Sequence, residues 1–277
     1  LTPADRALYN LRNATGTVQS IPLIASSIAC KKLALKTNYI FLDVKVGDGG
    51  FSQTIKEATE LSKVLLKIFK AYKRKALVHI TSMTQPLGRA IGNAIEIKVA
   101  IDFLNGHPES KEVKTLIYDF ISDILLVTKK AKNKNASIRL IDEVINNKKA
   151  LFVFKAWIKA QHGDIALIDN DAYFKPKYQL SIKANRCGYI AYRSTKAVGM
   201  ISFRLGAGRL RKEDLIDYQA GVYLNKVKNE YVKKGDVIAT LYSSRPIDKS
   251  LVNDFMRNVM LASHPHKDIP MIIKVMR

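Results

Sequence analysis

Apolar positions follow two different periods along this chain, which predicts helices interleaved with strands. Ser20 has the character of an N-cap and Pro22 of a first-turn residue, so a helix is expected to begin there and run through IPLIASSIACKKLAL. The run YIFLDV at 39–44 predicts a buried strand, followed by a glycine-rich loop, a long helical pattern through Tyr72 and a second strand at 76–81. The two strands of such a βαβ unit should be parallel.

The second half of the chain changes from helical to strand-like patterns. Between 108 and 162 the apolar spacing is helical, and its tyrosine, phenylalanines and Trp157 are expected in a core. From about Ala184 onward, short alternating runs and turns predict a β-rich module. The phrase VKKGDVI also fits the strand turn of lipoyl and biotinyl carrier domains, but Lys226 and Lys228 lack the flanking motif of a carrier lysine. The patterns therefore indicate an α/β protein with a structural β-rich module.

Length and charge narrow the possible functions only a little. A chain of 277 residues can bury a sizeable core and predicts two domains. Lys+Arg 46 against Asp+Glu 24 gives a net charge of +22, which is typical of proteins that bind nucleic acid or anionic surfaces. The lysines are spread along the chain, however, with short runs only at 73–75 and 129–134, and no nucleic-acid-binding motif accompanies them. We expect solvated helix faces and no specific nucleic-acid partner.

Cysteine and histidine usage gives no sign of a metal centre. Cys30 and Cys187 lie outside any metal-ligand spacing, which fits a reducing cytoplasm. The sequence shows no long apolar run and no signal-peptide pattern, so no membrane insertion is expected. Five scattered histidines predict neither a metal site nor a catalytic triad: His79, His107, His162, His264 and His266.

One face of the helix that starts near Pro22 carries candidate chemistry. Four residues fall at i, i+3, i+4 and i+7 and share that face: Ile24, Ser27, Ile28 and Lys31. An apolar pair beside a hydroxyl and an ammonium suits a flat ligand with polar edges. Arg12, expected in a loop before the helix, can add a planar donor fork. The same spacing also fits an ordinary amphipathic helix, which the pattern alone favours.

Four ordered blocks carry a resemblance to a known family. The stretch from Tyr9 to Lys32, YNLRNATGTVQSIPLIASSIACKK, resembles thymidine phosphorylases and pyrimidine-nucleoside phosphorylases, which share a Y-x-L-R-x-x-T-x-T-V-x-S-I-P-L-I-x-x-S-I-x-x-K-K run. Further matches follow at 43–51 (DVKVGDGGF), 85–96 (QPLGRAIGNAIE) and 205–217 (LGAGRLRKEDLID). Blocks in one order over most of the chain make the resemblance specific.

The resemblance assigns roles to seven positions. It implies that Arg12, Ser27 and Lys31 hold a pyrimidine base. It implies an apolar surround for that base at four further positions: Val18, Ile24, Ile28 and Phe51. Asp43 and Lys45 lie beside the glycine loop 47–50 and are candidates for a supporting role. That loop lacks the spacing of a nucleotide-binding motif and also fits a plain strand-to-helix turn.

The activity implied by the resemblance is reversible phosphorolysis. Inorganic phosphate attacks C1′ of a pyrimidine (deoxy)nucleoside such as thymidine or uridine and releases the base and (deoxy)ribose 1-phosphate. Arg12 and Lys31 would stabilise the negative charge on the departing base, and Ser27 would orient it. Phosphate is a co-substrate and no organic cofactor is required. Full-length family members are homodimers through the helical domain, most of which this chain lacks, so its own oligomeric state stays open.

The resemblance also implies a cation site. Relatives hold a monovalent cation, potassium, through backbone carbonyls at the positions of Leu87 and Ala90 and through a glutamate further along the next helix, here expected to begin near Asn93. The glutamate position is occupied by Val99. A hard cation needs oxygen ligands, so this substitution puts the site in doubt.

The resemblance also implies that the chain is a fragment. The sequence begins at Leu1 inside the resembling region, and no segment matches the family's glycine-rich phosphate loop, its lysine-histidine-serine cluster or its G-G-T-x-D signature. We expect an N-terminally truncated chain, inactive alone, with three parts: a remnant of a small helical domain at 1–37, an α/β domain with a mixed sheet at 38–180, and the β-rich module at 184–277.

Two other functions stay open. A disrupted gene would leave a non-catalytic remnant or a lysine-rich binding protein, and the DNA upstream would distinguish this from an enzyme. A phosphoribosyltransferase of the same fold is a third possibility, although it does not explain Arg12, Ser27 and Lys31 together.

Overall fold

The computed structural model describes residues 2–209 and 213–277. Residues 210–212, which belong to the family-like block at 205–217, lie outside the described residues. By its internal contacts the chain divides into two compact units. The first contains residues 1–84 and 268–277, and the second contains residues 85–267.

The helices and strands alternate along the chain. The first 84 residues contain α1 (Pro3–Thr15), α2 (Ile21–Ala34), β1 (Tyr39–Val46), α3 (Ile55–Ala71) and β2 (Lys75–Ser82). There follow β3 (Ala90–Gly92), α4 (Ala94–Leu104), α5 (Lys111–Val127), α6 (Lys134–Asn146), α7 (Lys149–Ala160) and α8 (Ala166–Asp169). The last part contains β4 (Tyr178–Lys183), β5 (Gly188–Tyr192), α9 (Thr195–Ser202), β6 (Gly221–Tyr223), β7 (Tyr231–Val232), β8 (Val237–Ser243), α10 (Ser250–Asn258), β9 (Val259–Ala262) and β10 (Ile272–Met276).

The first helix contains Arg12, which corrects the prediction of a loop arginine. Helix α1 has Pro3 in its first turn and ends at Gly16, a left-handed residue (φ 68°) whose N–H donates to the carbonyl of Arg12. Only glycine adopts this conformation readily, so Gly16 marks the C-terminus of the helix. The residues before Gly16 are mostly good helix formers, and nothing among them stops a helix.

Helix α2 agrees with its prediction. Ser20 is the N-cap residue and Pro22 lies in the first turn, although the Ser20 side chain makes no capping hydrogen bond. The helix ends at Ala34, with Lys31 and Lys32 in its last turn, where positive charge complements the helix dipole. The polar and apolar positions of the candidate face are thus on one continuous helix.

The sheet of the first unit confirms the parallel βαβ prediction. Strand β1 pairs with β2 in parallel, from Tyr39 opposite Lys75 to Val46 opposite Ser82. Strand β10 joins the other edge of β2 in antiparallel orientation, which makes the sheet mixed. Its core combines apolar residues of β1, α2 and α3, among them Leu42, Val44, Ile24, Ala25, Leu65 and Phe69. Strand β1 buries every second residue, whereas β2, the central strand between β1 and β10, is buried along most of its length.

The two units do not follow the three predicted segments, and the three-part division stays a prediction. Helix α2 shares a core with β1 and α3 through Ile24, Ala25 and Ala29, so contacts join the segment 1–37 to the segment that follows it. Strand β10 pairs with β2 and not with the strands of the β-rich module. Long-range contacts of this kind leave no mark in a local sequence pattern.

The helices of the second unit pack less completely than their sequence suggests. Phe103, Ile141 and Ile145 form a small core between α4, α5 and α6. Helix α7 has no buried residue: Phe152 is 72% exposed and Trp157 is 58% exposed. The prediction that these two rings belong to a core is therefore wrong. The apolar side chains of α7 itself point in several directions around the helix axis. A helix that packs on one side only can bury just some of them.

The strands of the second unit form two antiparallel sheets, as the β-rich prediction requires. One sheet has the order β3-β6-β8-β4 and the other the order β7-β5-β9. A single large core unites them with α9 and α10, and its largest fully buried side chains include Tyr192, Leu224, Ile238, Leu241 and Phe255. The segment 85–90, which contains the predicted cation ligands, leads directly into β3.

A buried carboxylate holds the described ends of the 205–217 block against β8. Asp217 accepts hydrogen bonds from Ser244 N (2.7 Å), Ser244 Oγ (2.8 Å), Ser243 Oγ (3.2 Å) and Gln219 N (3.0 Å). Burial raises the pKa of Asp217, but the hydrogen bonds from Ser244, Gln219 and Ser243 outweigh it and hold that pKa below its usual value. The ionised form of Asp217 therefore stabilises the fold.

Replacing Asp217 with asparagine is expected to lower the free energy of unfolding by about 2–3 kcal/mol at neutral pH, because charged acceptors are lost and an amide N–H₂ faces other donors. The lowered pKa means that this stabilisation is present above the unfolded aspartate pKa of about 3.9 and is lost as pH falls through the folded pKa. Urea unfolding should thus show wild type and Asp217→Asn converging at acidic pH. Glu143→Gln, at an exposed position, serves as control. If the difference in unfolding free energy between wild type and Asp217→Asn were the same at neutral and at acidic pH, this role of Asp217 would be contradicted.

Candidate functional site

Ser27 and Lys31 meet on the exposed side of α2. Lys31 Nζ donates to Ser27 Oγ at 2.9 Å and to the Ser27 carbonyl at 3.3 Å, as expected for residues four apart on a helix. Asp5 of α1 completes the cluster, with its Oδ2 2.5 Å from Lys31 Nζ. All three donors of the ammonium are therefore used, and a ligand carbonyl must replace or share one of these partners.

Asp5 is a member of this cluster that the sequence did not indicate. Hydrogen bonds from Lys31 and Ser27 hold the pKa of Asp5 below its usual value, so it is a carboxylate at neutral pH. The Lys31 side chain is 46% exposed, and an ion pair so open to water contributes less than about 1 kcal/mol to stability. Asp5 thus orients Lys31 more than it stabilises the fold. No local spacing could reveal it, because the contact depends on how α1 packs on α2.

Arg12 is buried between α1 and the turn that leads into α2. Its residue surface is 6% exposed. One terminal nitrogen donates to the carbonyl of Val18 and the other to the carbonyl of Leu23 at 3.4 Å, while the Tyr9 ring lies 5.4 Å from the guanidinium carbon. Its Nε is buried and has no hydrogen-bond partner among the described residues. The guanidinium braces the turn, and contact with a ligand requires that turn to open.

The four predicted apolar residues lie in different environments. Ile24 belongs to the core of the first unit, and Ile28 is partly buried against the same core. Val18 is half-buried in the turn before α2. Phe51, in the loop after β1, is 61% exposed and free of that core, so its ring is available to a ligand. Ile24 and Ile28 therefore offer only their outer edges.

The structure brings together some predicted residues and not others. Ser27 and Lys31 are in direct contact, and Ile28 lies on the same helix between them. Within residues 2–209 and 213–277, no hydrogen bond or ion pair joins Arg12 to Ser27 or Lys31. Base binding by Arg12, Ser27 and Lys31 together therefore stays a prediction. Of the three, only Ser27 and Lys31 are in direct contact.

A closed polar triangle lies at the carboxyl ends of β1 and β2. Lys45 Nζ is 2.7 Å from Asp43 Oδ2 and donates to Thr81 Oγ1 at 3.0 Å, while Thr81 Oγ1 donates to Asp43 Oδ1 at 2.5 Å. Thr81 is fully buried, and the two charged side chains are 22% and 27% exposed. The triangle fixes Lys45 where open α/β sheets bind ligands, next to the loop that carries Phe51.

The glycine loop after β1 approaches the backbone closely. A Cβ at Gly50 would lie 2.7 Å from the carbonyl oxygen of Lys45 and 2.9 Å from its carbonyl carbon. Real Cβ atoms essentially never come so near to backbone, so only glycine fits here without a shift. The close approach of the loop to the Lys45 backbone explains the glycine at position 50, and an anion-binding role is not needed to explain it.

Gly50→Ala is therefore expected to displace the loop and lower the free energy of unfolding by about 1–3 kcal/mol, as overpacking does elsewhere. Urea unfolding followed by circular dichroism measures this change. Gly199→Ala, in helix α9 with nothing within 4 Å of the added carbon, is the matched control and should stabilise slightly. Equal stabilities of Gly50→Ala and wild type would show that the loop adapts freely.

The carbonyl groups predicted to hold a cation belong to the edge strand β3 and to the segment just before it. Leu224 N donates to Arg89 O at 2.7 Å, so Ala90, opposite Tyr223, falls in a pair without mutual hydrogen bonds. Its N–H and C=O then both point away from β6, and β3 is an edge strand. The carbonyl of Leu87 accepts no hydrogen bond from the part of the chain that is described.

Other chemistry is limited in the described residues. They contain no group of three or more His, Cys, Asp or Glu that could hold a metal ion, and both Cys30 and Cys187 are free thiols. No described helix combines the length and the apolar character that crossing a membrane requires. A cleft of about 610 Å³ in the second unit is lined by residues that include Arg204, Glu213, Asp214 and Arg245, none of them predicted site residues.

Comparison with known proteins gives one consistent result. A family profile described as pyrimidine nucleoside phosphorylase C-terminal domain matches residues 189–262. A thymidine phosphorylase of Metamycoplasma hominis is 47% identical over 273 residues, 98% of this chain and 100% of that protein. A thymidine phosphorylase of Mycoplasmoides pirum is 46% identical over 91% of this chain and 61% of that protein. A pyrimidine-nucleoside phosphorylase of Staphylococcus aureus is 40% identical over 95% of this chain and, again, 61% of that protein.

Proposed function

Because the chain belongs to the thymidine phosphorylase and pyrimidine-nucleoside phosphorylase family, we propose that it supplies the base-recognising part of pyrimidine nucleoside phosphorolysis. The observation that carries this proposal is the contact between Ser27 and Lys31 on the exposed side of α2, with Lys31 Nζ 2.9 Å from Ser27 Oγ. The substrates are a pyrimidine (deoxy)nucleoside, thymidine or uridine, and inorganic phosphate. The products are the free base and (deoxy)ribose 1-phosphate.

The proposed role of Lys31 is electrostatic. In phosphorolysis an oxygen of phosphate bonds to C1′ while the bond between C1′ and the base breaks, and the bonding electrons leave with the base. A carbonyl oxygen of the base gains negative charge in that step, and an ammonium beside it lowers the barrier. Ser27, already in contact with Lys31, orients the base through its hydroxyl.

Arg12 adds a second positive charge when the turn before α2 opens. Its guanidinium then donates to the base in place of the carbonyls of Val18 and Leu23. In the free protein the turn is closed, and the guanidinium of Arg12 stays buried and hydrogen-bonded to these two carbonyls. Val18, which shares the turn, and the exposed ring of Phe51 pack on the faces of the base together with the outer edges of Ile24 and Ile28.

The remaining partners follow from the family. The resemblance implies that the phosphate-binding residues belong to a part of the family's sequence that this chain does not match, so we propose that the 277 residues bind the base without catalysing turnover alone. For a polypeptide of full family length we propose a homodimer, and the two free cysteines support a cytoplasmic location. Potassium is the one ion that we associate with the carbonyls of Leu87 and Ala90. We propose no specific nucleic-acid partner and no organic cofactor.

A non-catalytic remnant is the second candidate function. The diffuse positive charge of +22 favours it, since a lysine-rich chain binds polyanions without a built site. Such binding depends strongly on salt and does not discriminate between a pyrimidine base and a purine base. Base selectivity therefore separates the two candidates.

Calorimetric titration with thymine, uracil and adenine, paired with a phosphorolysis assay, tests the proposal. We expect saturable binding of a pyrimidine base by the chain, and phosphate-dependent release of base from thymidine or uridine only by a polypeptide that also contains the family's phosphate-binding segment. Base recognition would be refuted if adenine bound as tightly as the pyrimidine bases, or if no base bound at all. Phosphorolysis by the 277-residue chain alone would refute the proposed division of labour.

A further inference from the structure

Helix α7 leaves one of its sides, covered with apolar residues, in contact with solvent. Three large side chains on this outer side, Phe152, Val153 and Trp157, are each more than half exposed. Ala156 and Ala160 lie on the same face at helical spacing and are also exposed. The half-buried apolar residues of the helix, at i, i+3 and i+7, lie on the opposite side: Leu151, Phe154 and Ile158. Helix α7 therefore has two apolar sides, and the outer one stays open to solvent in the part of the chain that is described.

The charges that accompany this outer side are all positive. The segment 148–163 contains four lysines and no aspartate or glutamate. Lys155 and Lys159 follow Phe152 by three and seven residues, so they border its edge of the apolar side. Lys155 is paired with Asp169, whereas the ammonium groups of Lys149 and Lys159 are exposed and make no ion pair with the described residues. Positive charge is therefore available directly beside exposed aromatic rings.

This combination fits the surface of an anionic lipid bilayer. Amphipathic helices that lie in a membrane surface place tryptophan, phenylalanine and aliphatic residues at the boundary of the acyl chains and lysines among the headgroups. The long stem of a lysine follows the apolar surface while its ammonium stays in water. A second copy of the chain fits less well, because a net charge of +22 and the lysines on this side would repel an identical face. A soluble polyanion would pair with the lysines and leave the large apolar side chains in water.

We propose that the outer side of α7 docks on anionic lipid surfaces, with Phe152, Val153 and Trp157 at the boundary between headgroups and acyl chains. Lys149 and Lys159 contact the lipid phosphates from the edges of the helix. The contact is peripheral and reversible, and salt weakens it because part of the attraction is electrostatic. Every residue involved belongs to the second unit, whereas the proposed base-binding residues belong to the first. The inference therefore does not rest on the proposed phosphorolysis.

The fluorescence of Trp157 tests the inference directly, because this residue is the one tryptophan of the chain. Vesicles of phosphatidylglycerol and phosphatidylcholine should shift its emission to shorter wavelength and protect it from quenching by acrylamide. Lipids brominated in the acyl chains should quench it. Vesicles of phosphatidylcholine alone should have a much smaller effect, and added salt should weaken the effect of the anionic vesicles.

Co-sedimentation with the same vesicles separates the contributions of individual residues. Phe152→Gln should lower the partition coefficient about tenfold, because one large apolar side chain is lost from the lipid boundary. Lys149→Gln combined with Lys159→Gln should lower it further, by about fivefold for each lysine removed. As the matched control, Lys63→Gln combined with Lys67→Gln removes the same charge from exposed positions of α3 and should have little effect.

Three results would overturn the inference. One is a Trp157 emission that anionic vesicles leave unchanged, even where the chain sediments with them, because the contact would then lie elsewhere. Another is an equal loss of binding in the two lysine pairs, which diffuse charge alone predicts. The third is protection of Trp157 from acrylamide by polyglutamate, or by rising protein concentration without lipid, which would assign this side to a soluble partner or to a second copy. The fluorescence measurement uses the wild-type chain, so it decides even if a variant fails to fold.

Discussion

Replacing Arg12 with alanine should destabilise the first unit and abolish base recognition together. The guanidinium is almost fully buried and donates to the carbonyls of Val18 and Leu23, so its loss removes two hydrogen bonds made by a charged group. We expect the free energy of unfolding to fall by about 2–3 kcal/mol, the range for lost hydrogen bonds of charged groups. Urea unfolding followed by circular dichroism and titration with thymine measure the two effects.

Two further variants separate the structural and binding roles of Arg12. Arg6→Ala removes an exposed arginine from the same helix and should change neither quantity. Arg12→Lys keeps the charge but cannot donate to two diverging carbonyls, so it should recover little of the stability. If Arg12→Ala unfolds at the same urea concentration as wild type, the brace described for the turn does not exist.

Replacing Lys31 with alanine should have the largest effect on recognition with little effect on folding. Its ammonium is half exposed and contacts Ser27 and Asp5, so the fold loses less than about 1 kcal/mol. In a polypeptide that catalyses phosphorolysis, kcat/KM should fall by about 10²–10³, as it does when one donor to a developing charge is removed elsewhere. Steady-state kinetics with thymidine and with uridine measure this loss.

Lys32→Ala is the matched control for Lys31. It removes the same charge from the next position of α2 and leaves the contact with Ser27 in place. A general effect of positive charge on substrate attraction would lower both variants equally and would weaken with salt. Similar losses in the two variants would therefore contradict a specific role for Lys31.

The parts of the fold that local pattern determines were predictable. The N-terminus of α2 at Ser20, the parallel pairing of β1 with β2 and the beginning of α4 after Asn93 agree with the sequence, because caps, strand periodicity and turn residues act over a few positions. The Ser27–Lys31 contact was predictable for the same reason, since helical spacing alone places those side chains together.

Features that depend on long-range packing were not predictable. The burial of Arg12, the contact of Asp5 with Lys31 and the return of β10 to the first sheet join segments that are far apart or whose angle is set by the core. Trp157 shows the converse: its apolar character indicated a core, but it lies 58% exposed on α7, a helix with no buried residue.

Chemical-shift mapping is the most direct test of the central claim that a pyrimidine base binds on the exposed face of α2. Titration of the ¹⁵N-labelled chain with uracil should shift the amide signals of residues 24–31, of the turn around Val18 and of Phe51. The signals around the cleft of the second unit, near Arg204 and Arg245, should not move. Shifts confined to that cleft, or spread evenly over lysine-rich surfaces, would contradict the account.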